Sequence, residues 1–144
     1  MALIVFKNVS KVYNSNSVAL DNVTFEVAPK EFASVVGKSG AGKSTLLKIL
    51  IAEESPTSGR IFFDGNDVPR LSASELPKLR RRIGAIFQDY KLLPDKTAYE
   101  NISYAMEAAG RTDAEIKKDV SQVLELVGLT ERANNFPHAL SGGE

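Results

Sequence analysis

A glycine-rich segment at residues 37–45 constrains the fold of this 144-residue chain more than any other stretch. It matches the pattern G-x-x-x-x-G-K-[ST] at every fixed position. Residues 32–36, just before it, are short and apolar, which predicts a buried parallel strand. Residues 46–51, just after it, are mostly apolar and predict a helix. The pattern therefore predicts a strand, a phosphate-binding loop and a helix in succession.

The residue types in this loop suit a nucleotide triphosphate. Glycines permit backbone conformations closed to other residues and let N–H groups approach phosphate oxygens. The positive end of the following helix adds to this anion site. We expect Lys43 to reach the β- and γ-phosphates and the Ser44 hydroxyl to ligate Mg²⁺. A glycine-rich turn that contains Lys-Ser by chance is the alternative, and it would not explain the flanking elements. The predicted nucleotide-binding residues here are Gly37, Lys38, Ser39, Gly40, Ala41, Gly42, Lys43, Ser44 and Thr45.

Composition favours one globular domain and gives no sign of a nucleic-acid partner. The chain is 43% hydrophobic, and 18 basic residues balance 18 acidic ones, so the formal net charge is zero. The basic residues at 78–82 are typical of a solvated helix face, with anionic lipid headgroups as the alternative. The lack of cysteine excludes disulfides and fits a reducing cytoplasm. Since no stretch approaches the roughly 20 apolar residues of a membrane span, we expect any membrane role to require a partner.

Several short segments predict strands. Residues 3–9 and 23–27, separated by a polar turn at residues 14–17, predict an antiparallel hairpin. Tyr13 stands just before that turn, where its ring either lies against a nucleobase or packs as an ordinary side chain. Residues 60–63 predict a strand that enters an Asp-Gly turn.

Gln88 follows another apolar run, residues 83–87, and is therefore predicted at the end of a strand. There, the amide either contacts Mg²⁺ or orients a water, or it is a plain loop residue.

Two amphipathic helices with capping boxes follow. Thr97 with Glu100 and Thr112 with Glu115 have the capping-box spacing. Apolar residues recur behind each box at helical spacing, and each pattern ends at a glycine. Their apolar stripes are Ala98, Ile102, Ala105, Met106 and Ala109 in the first, and Ile116, Val120, Val123, Leu124 and Val127 in the second. We expect a small helical lobe after the α/β part.

The order of these motifs resembles the ATP-binding-cassette (ABC) ATPases along essentially the whole chain. A phosphate loop precedes Gln88, then a helical lobe, then Leu-Ser-Gly-Gly-Glu at residues 140–144. The resemblance implies an α/β P-loop NTPase with an N-terminal antiparallel β subdomain, a partial parallel core sheet and an α-helical subdomain. It implies a partial ATP-binding domain with a β and phosphate-loop core at 1–87 and a helical subdomain at 88–144.

The resemblance also implies roles for individual residues, with ATP and Mg²⁺ as cofactors. Tyr13 would stack on adenine, and Gln88 would contact Mg²⁺ alongside Ser44. The signature residues Ser141, Gly142 and Gly143 would face the γ-phosphate held by the other subunit of a head-to-tail homodimer. His138 precedes the signature and is interpreted as a local structural residue.

Within the family, residues 53–59, 87–94 and 140–144 are most similar to the cell-division branch. That similarity implies a cytoplasmic protein on the inner face of the cell membrane, where it acts with the integral membrane protein FtsX to control septal cell-wall hydrolysis. A lipoprotein-release or macrolide-type export ATPase is the alternative. Tyr90, Leu92 and Leu93 are candidates for the coupling groove, or ordinary packing residues.

The sequence reaches Glu144 before three other elements of the family pattern. In relatives, an Asp that serves Mg²⁺, a catalytic Glu and a switch His follow the signature. Since none of these is present in residues 1–144, we identify no catalytic residue and expect an incomplete domain that binds nucleotide better than it hydrolyses it. A nucleotide-binding fragment without enzymatic activity is the alternative from another class.

Overall fold

The computed structural model describes residues 2–14 and 17–144. The chain divides into two compact units, Met1–Gly84 and Ala85–Glu144, and each has its own hydrophobic cluster. Ser15 and Asn16, which belong to the turn predicted at 14–17, lie outside the described residues. Among the residues described, no helix is both long enough and apolar enough to cross a bilayer.

The first unit contains an antiparallel sheet. Its strands are β1 (Ile4–Asn14), β2 (Ser17–Val27), β3 (Ser58–Phe63) and β4 (Asn66–Asp67), in the order β2-β1-β3-β4. The predicted hairpin is confirmed, and both of its strands are longer than expected. The strand predicted at 60–63 is also confirmed, because β3 leads through Asp64 (φ 49°) and Gly65 (φ 77°) into β4.

One helix, α1 (Lys43–Leu50), buries its apolar face in the first unit. Ile49 is 1% exposed and belongs to a cluster with Phe6 and Val9 of β1 and Ile61 of β3. Burying side chains of this size stabilises a fold by about 1.5–3 kcal/mol each. The phosphate loop therefore ends in a helix that is anchored in the core.

The partial parallel core sheet was a wrong prediction for the described chain. Residues 32–36 and 83–87 run as irregular chain, and the sheet that the structure describes is antiparallel. Phe32 is 94% exposed, Val36 86% and Ile86 95%. A parallel strand needs hydrogen-bonding neighbours and covered faces, which the apolar composition of a segment cannot itself supply.

The basic segment forms α2 (Leu76–Arg81), and two arginines at this point of the chain have specific partners. Arg80 donates from Nε to the Ile51 carbonyl at 3.1 Å and from Nη2 to the Ala52 carbonyl at 2.9 Å. Arg82 pairs with Asp64 at 2.6 Å. Arg80 therefore satisfies carbonyls just beyond the C-terminus of α1, where a cation is favoured.

The second unit is helical, as predicted. Helices α3 (Ala98–Ala108) and α4 (Asp113–Leu126) begin after Thr97 and Thr112, and both capping boxes are formed in full. Ile116, Val120 and Leu124 are buried, whereas Val123 and Val127 of the predicted stripe are largely exposed. The buried stripe of α4 is therefore narrower than the sequence pattern.

Candidate nucleotide-binding site

The phosphate loop, residues 37–45, leads directly into α1 in the first unit. Gly42 is the N-cap residue of the helix and has a φ of 85°, and Gly40 has a φ of 80°. These are left-handed conformations that favour glycine. At Gly42 a Cβ would also overlap the carbonyl oxygen of Ala19 in β2. Glycine is therefore required at residue 42 for two reasons, its backbone conformation and its closeness to the sheet.

Lys43 is bonded to its own loop. Its ammonium donates to the carbonyls of Gly37 at 2.9 Å and Lys38 at 2.8 Å. The first turn of α1 has no acidic side chain, and its N-cap glycine has no side chain with which to cap it. Positive charge from the lysine and from the helix dipole thus lies at one end of α1, which is the requirement for an anion site.

The two hydroxyl residues after Lys43 differ in burial. Ser44 is more exposed than Thr45, which is 9% exposed and lies in the core-facing side of α1. A serine hydroxyl and an amide oxygen such as that of Gln88 are hard oxygen donors of the kind that Mg²⁺ prefers. Ser44 belongs to the first unit and Gln88 to the second.

Tyr13 lies at the end of β1, beside the helix that carries the loop. Its hydroxyl donates to Glu54 Oε2 at 2.6 Å and is 3.4 Å from Thr45 Oγ1. The side chain is nevertheless 49% exposed. The structure therefore brings Tyr13 and the first turn of α1 together, as expected if Tyr13 forms part of the nucleotide site.

Two charged residues around Tyr13 were missed by the sequence reasoning. The Lys11 ammonium lies 5.0 Å from the centroid of the Tyr13 ring and 3.3 Å from Glu54 Oε2. The Tyr13 hydroxyl, followed by Lys11 and Lys48, lowers the pKa of the Glu54 carboxyl. The spacing of residues 11 and 13 would have been a signal for Lys11 had the strand been predicted beyond residue 9, because residues two apart in a strand lie on one face. Glu54 carried no such signal.

The segment just before β3 also binds the end of β1. The Thr57 N–H donates to the Ser10 carbonyl at 2.8 Å, and the Val12 N–H donates to Thr57 Oγ1 at 3.0 Å. The pairing between β1 and β3 reaches only to Ser10 and Ser58. Thr57 therefore continues the contacts of β1 towards Tyr13 after the ladder has ended.

Gln88 lies in a turn, not at the end of a strand, and it is exposed. The turn is closed by a hydrogen bond from the Tyr90 N–H to the Phe87 carbonyl at 3.0 Å. Tyr90 and Lys91 both have left-handed backbones, with φ of 56° and 53°. Such conformations are uncommon for bulky residues and cluster at functional segments.

The signature residues Ser141, Gly142 and Gly143 form a turn in the second unit. Glu144 Oε2 accepts from the Ser141 N–H at 2.8 Å and from its hydroxyl at 2.7 Å, and Glu144 Oε1 lies 2.9 Å from Arg132 Nε. These donors, led by the Ser141 N–H, lower the pKa of Glu144. The Ser141 hydroxyl is thus bonded to an ionised carboxylate.

His138 stacks on Phe136 at a centroid distance of 5.9 Å. This ring contact is consistent with the local structural role predicted for it. Tyr90, Leu92 and Leu93, the candidates for a coupling groove, are all exposed.

Comparison with solved structures identifies the class of protein to which this fold belongs. The chain superposes on the dimeric structure of a post-hydrolysis state of the ATP-binding cassette MJ0796, bound to ADP and Pi, with a TM-score of 0.87. The two are 35% identical, and the match covers 97% of this chain and 64% of that one. The fold and the phosphate loop therefore define a P-loop nucleotide-binding cassette.

The family follows from sequence. The model of the ABC transporter family matches residues 20–144. The cell division ATP-binding protein FtsE of Escherichia coli is 49% identical over 99% of this chain, and that of Streptococcus pneumoniae is 46% identical over 100%. This chain belongs to the ABC transporter family. It spans 64% and 63% of the length of these two relatives.

Proposed function

We propose that this chain binds MgATP as the nucleotide-binding part of an ABC-type ATPase. The observation that carries the proposal is the loop at residues 37–45, which combines an uncapped helix N-terminus with the Lys43 ammonium. Backbone N–H groups and the helix dipole at such a position favour the binding of a phosphate. The family match supports the same ligand, as do the ADP and Pi bound to the similar cassette MJ0796.

Each predicted site residue has a role in this proposal. Lys43 exchanges its two carbonyl partners for oxygens of the β- and γ-phosphates. Ser44 and Gln88 provide oxygen ligands for Mg²⁺, which supplies positive charge to the triphosphate. Tyr13 stacks on the adenine ring, with its exposed ring surface available for that contact.

The signature residues act on a second copy of the chain. We assign Ser141, Gly142 and Gly143 to the γ-phosphate bound by a partner copy in a head-to-tail homodimer. A backbone of two glycines leaves N–H groups open to an anion. The Ser141 hydroxyl must turn away from Glu144 to take part, because it donates to that carboxylate in the free chain.

The names of the relatives suggest the cellular setting. We propose that the protein acts in cell division, on the inner face of the cell membrane, together with an integral membrane partner of the FtsX kind, and that it controls septal cell-wall hydrolysis. Hydrolysis of ATP is proposed for a protein that also carries the Asp, Glu and His of the family pattern, because residues 1–144 supply no water-activating residue at such positions. Co-purification with FtsX, compared with a lipoprotein-release or macrolide-export membrane protein, tests the partner.

Nucleotide binding is tested by calorimetry with MgATP. Lys43→Ala removes a charge-assisted contact and is expected to weaken binding by about 2 kcal/mol, or roughly 30-fold. Lys118→Ala removes the same charge from the exposed surface of α4 and serves as the control. Equal affinities for wild type and Lys43→Ala would refute the assignment.

Phosphate release, measured in the same samples, decides between binding and turnover. Binding without turnover is the expected result for residues 1–144. Steady turnover that Lys43→Ala abolishes would show that this chain itself is an enzyme.

A further inference from the structure

We propose that Glu54 is a positioning residue for the nucleobase, which it serves by holding the Tyr13 ring in place. This inference rests on the proposed function, since it concerns how the same site receives the base. Glu54 itself is not placed against the nucleotide. Its contribution is to fix the aromatic surface on which the base stacks.

The Tyr13 ring is attached at both of its ends. Its backbone belongs to the last part of β1, and its hydroxyl donates to Glu54 Oε2 at 2.6 Å. A side chain held at both ends loses rotamer freedom before the ligand arrives. That loss is then no longer a cost of binding, which is the benefit of a pre-organised site.

Lys11 leaves only one side of the ring for a base. Its ammonium lies over the ring, 5.0 Å from the centroid, and is itself held by the Ser55 carbonyl at 2.8 Å and by Glu54 at 3.3 Å. The Lys11 side chain is only 16% exposed, so this arrangement is not a loose surface pair. A base must therefore approach the side of the ring that faces away from Lys11.

Glu54 connects the ring to the phosphate loop through α1. Its N–H donates to the Lys48 carbonyl at 3.2 Å, and Lys48 Nζ lies 3.5 Å from its carboxylate. The helix that holds Glu54 begins at Lys43. The Tyr13 ring therefore contacts the helix that follows the phosphate loop in two ways, through Glu54 just beyond its C-terminus and through Thr45 in its first turn, 3.4 Å from the Tyr13 hydroxyl.

The test compares the affinity for MgATP with that for magnesium tripolyphosphate, which has the phosphates but no base. Tyr13→Ala and Glu54→Ala are measured by calorimetry in the full chain, and Glu53→Ala is the control, because it is the same residue type one position earlier. We expect Tyr13→Ala to weaken ATP binding about fivefold, equivalent to about 1 kcal/mol of lost stacking. Glu54→Ala is expected to weaken it about threefold, with tripolyphosphate binding unchanged in both.

Two further variants separate positioning from general support of the fold. Glu54→Gln keeps an acceptor oxygen for the Tyr13 hydroxyl and is expected to recover most of the lost ATP affinity. In the double variant Tyr13→Ala/Glu54→Ala, the two effects are expected not to add, because Glu54 acts through the ring.

Three results would overturn the inference while leaving the proposed function intact. These are an equal loss of ATP and tripolyphosphate affinity in Glu54→Ala, no loss of either, and additive effects in the double variant. If the wild-type chain binds neither ATP nor tripolyphosphate, the proposed function is refuted, and this inference with it.

Discussion

The close approach of Gly42 to β2 gives a quantitative prediction about the first unit. In Gly42→Ala, the new Cβ must occupy a left-handed backbone with φ of 85°, which costs about 1 kcal/mol or more. It also overlaps the Ala19 carbonyl and comes within 3.1 Å of Leu20 Cδ2. Displacing packed atoms typically costs a further 1–3 kcal/mol, so we expect a total of about 3 kcal/mol.

Gly40→Ala is the matched control in the same loop. Gly40 has a similar φ of 80°, but a Cβ there meets nothing within 4 Å. Its expected cost is only the conformational term of about 1 kcal/mol. The difference of about 2 kcal/mol isolates the contact between Gly42 and β2.

Thermal unfolding followed by circular dichroism measures this difference. For a unit of this size, about 2 kcal/mol corresponds to a melting temperature about 10 °C lower in Gly42→Ala than in Gly40→Ala. Coincident melting curves for the two variants would refute the argument, because the backbone conformation alone would then explain the requirement for glycine.

Two further predictions concern the helical unit. Hydrogen bonds from the N-cap residues, above all their backbone N–H groups, lower the pKa of Glu100 and Glu115 below the ordinary value of 4.5. The stabilising contribution of these two carboxylates is therefore complete above about pH 4.5 and is lost as the pH falls through their folded-state pKa. Melting curves of the helical unit at a series of pH values will detect this loss. An unchanged melting temperature down to pH 3 would contradict the prediction. Val120→Ala, at a fully buried position of α4, should lower the free energy of unfolding of the unit by about 2 kcal/mol in urea unfolding. Val123→Ala, at a 41% exposed position, should change it by no more than about 0.5 kcal/mol. Equal effects at the two positions would count against the packing described for α4.

The features that the sequence predicted well depend on nearby residues. The capping boxes of α3 and α4 span four residues each, and both formed as expected. The hairpin follows from alternation and a polar turn within one short stretch. The phosphate loop is equally local, since its glycines and its lysine act within residues 37–45. Local interactions of this kind can be predicted from a single sequence.

The features that were not predicted from the sequence depend on contacts between residues that are distant in sequence. Residues 32–36 have the composition of a buried strand, but a strand is defined by what pairs with it, and here Phe32 and Val36 are exposed. The contact between Tyr13 and Glu54 joins residues 41 positions apart. The expected position of Gln88 failed together with the strand predicted before it. No periodicity within a short window carries this information.

If Tyr13 stacks on the base as proposed, the short set of contacts that joins Thr57 to the end of β1 also affects how often the site is ready to bind. On the β3 side of β1, the last contacts come from Thr57, which donates to Ser10 and accepts from Val12, while β2 pairs with the other side of β1 as far as Asn14. When these bonds open, this part of β1 keeps only its contacts with β2, and under the proposed function we count such chains as unable to stack a base. Because apparent affinity is intrinsic affinity multiplied by the competent fraction, a strand end that is open half the time doubles the apparent dissociation constant. Fraying at the end of β1 would therefore lower the apparent affinity for the nucleotide.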